Sequence, residues 1–305
     1  MADMLRADFA RLLKNKLFWC LSALLLIISL YYFTSTAVTN PQSGVESTMY
    51  PFEAMPVSAF VIAVFTTFFI GVNFSSKVIS NKLSSGVSKA EIYLSNAVVS
   101  LLVSFYFSLF YLIAGIRLMA SGKFPAQIYL AFVLVGAALS IAFSTLSTFF
   151  AFILRTSSVS VVVSIVLIAV MFLVTNYLGS ILGQSEFIMD IETVNGVPYN
   201  NVEVIPDGAE ITYSKVPNPE YCSGMKRTIY QFISDVLPTS HLAIISDMNI
   251  SSNEDGVFFS PRWSDTVEVK TASEVFSYVN VAYPLGLSAF ITALGVLLFR
   301  KKQLS

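Results

Sequence analysis

The sequence predicts an all-α polytopic membrane protein: six transmembrane helices, an N-terminal amphipathic elbow helix before them, and a small mixed extracellular domain between helices five and six. Three observations predict it. Of 305 residues, 55% are hydrophobic and 12% are charged, with a mean hydropathy of +0.72, against a charged share of about 25% in ordinary soluble domains. Six windows hold no Asp, Glu, Lys or Arg: 17–45, 54–76, 92–116, 124–154, 156–185 and 275–299. The basic residues also gather on one side of the ladder these windows build.

The elements follow in chain order. Leu5, Phe9, Leu12 and Leu13 recur at helical spacing, with Arg6, Arg11 and Lys14 on the opposite side. Residues 1–16 therefore read as an amphipathic helix lying in the membrane interface and turning the chain into the bilayer. A hydrocarbon core of roughly 30 Å takes about 20 residues at 1.5 Å each, and the shortest charge-free window holds 23. A Lys or Arg at mid-membrane costs on the order of 3 kcal/mol, so such gaps are what lipid as solvent selects. The spans are expected near 17–37, 56–76, 92–116, 127–154, 159–182 and 278–299. The first could be read as a signal peptide cleaved at Ser35, Thr36 and Ala37, but its apolar run from Leu17 to Phe33 exceeds a usual signal core, and uncleaved anchoring is expected.

Orientation comes from the charges. With the N-terminus inside, the inner segments hold Arg6, Arg11, Lys14, Lys16, Lys77, Lys82, Lys89, Arg155, Arg300, Lys301 and Lys302 against only Asp3, Asp8 and Glu91. Most of the remaining acids lie between Glu186 and Glu274. The positive-inside rule puts both termini in the cytoplasm.

Between spans two and three, Gly86 can supply the left-handed residue that ends a helix, and Ser88 with Glu91 is a capping box opening the next. The segment reads as a short helix-turn-helix elbow, or as a basic loop whose lysines anchor to anionic lipid. Arg155 to Ser158 and Arg117 to Ala126 are tight connections. Only 184–277 is long and polar enough to fold outside the bilayer as a domain. There, Asn195-Gly196 and Pro206-Asp207-Gly208, flanked by Val202, Val204, Ile211 and Tyr213, predict short hairpins. Tyr230, Ile233, Val236 and Leu237 predict a helix ending at Pro238, and part of this domain is expected to rest on the membrane surface.

Within the spans, Gly136, Ser140, Ser144 and Thr148 fall four apart, as do Asn96, Ser100, Ser104 and Ser108. Small residues at this spacing let helices approach closely, and helix packing is the expected role ahead of a substrate-lining pathway. Asn73, Asn176 and Asn280 read as interfacial polar groups at span ends.

Signals for chemistry are few. A nucleotide site of the form G-x-x-x-x-G-K-S/T needs glycines and a lysine around phosphates; the nearest string, Gly122-Lys123, is followed by Phe124. His241 is the single histidine and is expected to be solvated or locally bonded; with Cys20 and Cys222 it offers too few ligands for a zinc site and no intramolecular disulfide. No catalytic residue and no metal ligand is expected. A net charge of -1 lends no support to nucleic-acid binding, and the charge-free spans argue against ion-coupled transport.

The stretch from Ser80 to Ser95, reading S-N-K-L-S-S-G-V-S-K-A-E-I-Y-L-S, together with the basic amphipathic start and six spans, resembles permease subunits of bacterial type-2 ABC exporters. Many of these read N-K-L-x-x-G-x-S/T-R/K-x-x-I-Y-L-S at this place. The resemblance implies two permease subunits, identical or sister chains, driven by two cytoplasmic ABC ATPase subunits. ATP and Mg would be held by those partners and no cofactor by this chain. Residues 77–89 would form the helix seated on the ATPase, with Asn81, Lys82, Leu83 and Gly86 as the contact set and Val87, Ser88 and Lys89 completing the segment. Export of a peptide, lipid-like or drug-like compound is the implied function. A membrane-anchored sensor or assembly scaffold with an acidic outer domain is the alternative, and a secondary transporter stands third.

Overall fold

The computed structural model describes residues 2–35, 38–40, 45–49, 55–120, 126–194, 197–198, 211–246, 248–253, 256–261 and 279–301. Six of its helices are long and apolar enough to cross a membrane: α2 (Lys16–Ser35), α3 (Met55–Ser75), α5 (Lys89–Ala120), α6 (Ala126–Leu154), α7 (Ser157–Leu182) and α10 (Val279–Lys301). These coincide with the expected spans to within a few residues. The chain is a multi-pass, predominantly helical membrane protein. Among the described residues, the other helices are α1 (Ala2–Leu13), α4 (Val78–Ser84), α8 (Gly224–Val236) and α9 (Pro238–Ser246).

The chain divides into two compact units, Met1–Thr175 with Asp235–Ser305, and Asn176–Ser234. In the first, α3 and α6 are central. α6 packs against α3, α5 and α10, while α2 lies along α5. The burial of these helices follows that order: 67% of the α3 span lies inside the bundle and only 22% of the α2 span. Trp19, Ile27, Leu30 and Tyr31 on α2 are exposed, as befits a helix whose solvent is lipid. Lipid gives apolar helices no hydrophobic drive to associate, so close packing must hold the centre. Phe18, Phe65 and Phe107 supply it from α2, α3 and α5, with ring centroids 5.6–5.8 Å apart.

The corner between α1 and α2 is fixed locally. The Leu17 amide donates to Asn15 Oδ1 at 2.9 Å, capping α2, and the Trp19 indole donates to the Leu13 carbonyl at 2.8 Å. Leu5, Phe9 and Leu12 pack on the bundle core as the pattern predicts, but Leu13 is exposed. At positions 5, 8, 9 and 12 the inward stripe includes an acid, Asp8, which is completely buried.

The segment 184–277, expected to fold as one domain, contributes to both units. α9 belongs to the bundle unit, where it contacts α6 and α3. Its hydroxyls find partners there: Thr239 Oγ1 lies 2.7 Å from Thr175 Oγ1 and donates to the Met171 carbonyl, and Ser240 Oγ lies 3.2 Å from Thr175. His241 is buried rather than solvated, with Nε2 2.7 Å from the Asp235 carbonyl. Strands β6 (Met248–Asn253) and β7 (Gly256–Pro261) join β1 (Val38–Asn40) and β2 (Val45–Met49) in an antiparallel sheet ordered β1-β2-β6-β7, with Ser47 opposite Ser252. That pairing joins the loop after the first span to the segment before the last, which no local pattern announces.

In the second unit, β3 (Phe187–Val194) pairs antiparallel with β5 (Ile211–Pro217) and with the short β4 (Val197–Pro198). Ile211 and Tyr213 lie on β5 as expected. The turn residues Asn195-Gly196, the string Pro206-Asp207-Gly208 with Val202 and Val204, the Gly122-Lys123 string and the Thr36-Ala37 pair lie outside the described residues, as does the side chain of Asn280. α8 ends at Val236, one residue short of Leu237 and before Pro238, where the sequence predicts.

Candidate functional site

The connection from α3 to α5 is built by its caps. Lys77 follows α3 in the left-handed conformation (φ 58°), an arrangement that costs a non-glycine residue roughly 1–2 kcal/mol. It redirects the chain into α4. At the other end Gly86 takes φ 86°. The Gly86 amide donates to Leu83 and the Val87 amide to Lys82, the paired bonds of a Schellman motif. α5 then opens on the expected capping box: the Glu91 amide donates to Ser88 Oγ at 3.2 Å and the Ser88 amide to Glu91 Oε2 at 3.0 Å. Residues 77–89 are thus a short helix set between two sharp, chemically specified turns.

The side chains of this segment divide by face. Ser80, Asn81, Ser84, Ser85, Gly86 and Ser88 are exposed. Ile79 is buried, and Leu83 and Val87 pack against the core. Lys89 donates to the Arg300 carbonyl at 3.3 Å, tying the start of α5 to the end of α10. Lys82, expected to contact a partner, turns inward. Its Nζ lies 2.9 Å from both carboxylate oxygens of Asp8 on α1.

Asp8 is the hub of a buried polar network that the sequence reading overlooked. Besides Lys82 it accepts from Arg11 and, at 3.0 Å, from the Ser95 hydroxyl of α5. Arg11 also donates to Asn73 Oδ1 at 2.8 Å; Asn73 Nδ2 donates to Asn96 Oδ1 at 3.1 Å, and Asn96 to the Ile92 carbonyl. Asn73 is accordingly buried and linking, not interfacial. The network joins α1, α3, α4 and α5. Its charge balance is two cations to one carboxylate, and burial first, then the Arg11 cation, lowers the Lys82 pKa to about 8; burial also lowers that of Arg11. A signal was present in the sequence: Asp8 falls within the apolar stripe of α1, where a carboxylate requires partners.

The Ile92-Tyr93-Leu94-Ser95 string is explained by packing. Ile92, Tyr93 and Ser95 are buried while Leu94 faces out. Tyr93 packs on Phe152 at 4.7 Å between centroids, and its hydroxyl end occupies the space over Gly295 that a side chain there would fill.

The two small-residue stripes are buried throughout. Ser140 donates to the Gly136 carbonyl at 2.8 Å, Gly136 makes room for the Tyr111 hydroxyl, and Ser144 and Thr148 are enclosed in the bundle. Asn96, Ser100, Ser104 and Ser108 are equally enclosed within this chain. At Gly71 a Cβ would collide with the backbone of Ser157, so α3 and the start of α7 touch main chain to main chain. Among the described residues no group of three or more His, Cys, Asp or Glu comes together, and Cys20 and Cys222 are both free.

No protein-family model and no curated protein matches this chain.

Proposed function

We propose that the chain is the membrane-spanning permease subunit of an ATP-driven ABC exporter, with α4 as the element that receives work from a separate ATPase. The observation carrying this reading is α4 itself: a seven-residue helix bracketed by two left-handed residues and pinned to α1 by the Lys82–Asp8 pair. A force applied to the exposed face of α4 passes into α3 and α5 through rigid caps and into α1 through the ion pair. Coupling of this kind needs contacts that differ between two states, and an ATPase that opens and closes under ATP supplies them. The contact set then shifts from the sequence expectation. Asn81, Ser80, Ser84 and Ser85 face outward to the partner, while Lys82, Leu83 and Val87 hold α4 to its own bundle. Both termini lie on the ATPase side in this reading, a second permease chain completes the pathway, and the cargo is a peptide, lipid-like or drug-like compound.

The alternative, a sensor or scaffold, draws on the separate compact unit Asn176–Ser234. One experiment divides the two. Purified in mild detergent, the chain should bring down an ATPase with a phosphate-binding loop, and Asn81→Arg with Ser84→Arg should abolish that capture without lowering the unfolding temperature. Capture undiminished by both arginines, or cargo flux in vesicles that follows an ion gradient without ATP, defeats the permease reading.

A further inference from the structure

Among the described residues, α8 carries an apolar face that the protein leaves uncovered. It buries no residue, and Met225, Ile229, Phe232 and Ile233 are 81, 50, 60 and 39% exposed. They fall at i, i+4, i+7 and i+8, an arc of about 100° on one side of the helix. The opposite side is the one held by the protein. Arg227 donates to the Leu182 carbonyl at 3.0 Å and to the Cys222 carbonyl at 3.5 Å, and its guanidinium lies over the Tyr221 ring at 4.7 Å. The tether thus fastens the polar face and turns the apolar face away.

Leu182 is the last residue of a membrane-spanning helix. α7 has 26 residues, so at 1.5 Å per residue it measures about 39 Å against a hydrocarbon core of roughly 30 Å. Its end therefore stands at the level of the lipid headgroups, and Arg227 fixes α8 at that level. The residues around the tether suit that depth: Tyr177 on α7 is exposed, Tyr221 lies under Arg227, and Lys226 rests 5.5 Å from the Tyr230 ring at the border between the two faces. Tyrosine at the headgroup level and a cation beside an apolar stripe are the marks of a helix lying in a membrane surface.

We infer that α8 is an interfacial helix, its Met225, Ile229, Phe232 and Ile233 face embedded in the lipid leaflet that α7 reaches, with Lys226 at the phosphates. This surface is independent of the α4 reading and holds for any function of the chain.

The test uses the full chain carrying Cys20→Ala and Cys222→Ala, spin-labelled singly through Ile229→Cys, Phe232→Cys or Gln231→Cys, in vesicles of phosphatidylethanolamine and phosphatidylglycerol. All three positions are exposed, and an unfolding midpoint equal to the parent's confirms that each label leaves the fold in place. Labels at 229 and 232 should collide with oxygen more than with a water-soluble nickel chelate, at a depth of about 5–10 Å below the phosphates, and the preference should reverse at 231. Equal nickel access on both faces places α8 in water and overturns the inference. Spin–spin broadening at 232 that vanishes on dilution with unlabelled protein means that a second copy covers the face, and overturns it equally.

Discussion

Two connections at the same end of the bundle begin alike and end differently. α3 and α6 both hand over to a cation in the left-handed conformation, Lys77 at φ 58° and Arg155 at φ 62°. After Arg155 one further residue suffices and α7 starts at Ser157, set against Gly71 with no room for a side chain. After Lys77 the chain instead builds α4, closes it on Gly86, and opens α5 on a capping box. The short connection demonstrates that two residues can reverse direction between spans. The length of the other is not needed for reach. Its surplus is a positioned helix with an outward polar face and an inward ion pair, and that is why it, and not the Arg155 turn, is the candidate for a partner.

The largest way to break the contrast is Asp8→Asn. It leaves Lys82 and Arg11 facing a neutral amide; removing one partner of a fully buried pair costs about 3–5 kcal/mol, and the partial exposure of these two cations brings the expected loss to about 2–3 kcal/mol. Thermal unfolding in detergent should show the drop, and adding Lys82→Met should recover part of it, because the double variant buries one charge fewer. An unchanged midpoint for Asp8→Asn means the pair contributes nothing.

Next in size is Gly71→Ala, aimed at the short connection. Overpacking of this kind costs about 1–3 kcal/mol, and the same unfolding assay should read it. A midpoint equal to that of the parent chain means α3 and α7 do not approach as closely as the backbone contact implies.

The smallest effect is a pH slope. Lys82 has a folded pKa of about 8, below its ordinary 10.5. Between those values the unfolded chain binds a proton that the folded chain does not, so this group makes stability rise with pH across the window. Stability measured from pH 8 to 10.5 should rise less steeply, or fall more, in Lys82→Met than in the parent. Identical slopes mean that Asp8 cancels the effect of burial.

How much of this was legible depends on the range of the interaction. Spans, the Gly86 cap, the Ser88–Glu91 box and the end of α8 before Pro238 are set by residues within a few positions of each other, and the sequence predicts each. α9 was not legible as part of the bundle, because Thr239 and Ser240 look polar until Thr175 supplies a partner 64 positions earlier in the chain. The pairing of β2 with β6 is equally non-local. Asp8 is the intermediate case: its place in the apolar stripe was visible, but Lys82 and Ser95 as its partners were not. The outward set on α4 could not be read either, since helical spacing alone does not say which side of a short helix its own bundle claims.

The members of the Asp8 network, Arg11, Asn73, Lys82, Ser95 and Asn96, all fall within the first 96 residues. Among the described residues, no member of it comes from the later helices. During synthesis this lock can close as soon as the third span has entered the bilayer, which gives the ribosome-bound half of the protein a finished end onto which α6, α7 and α10 are added afterwards.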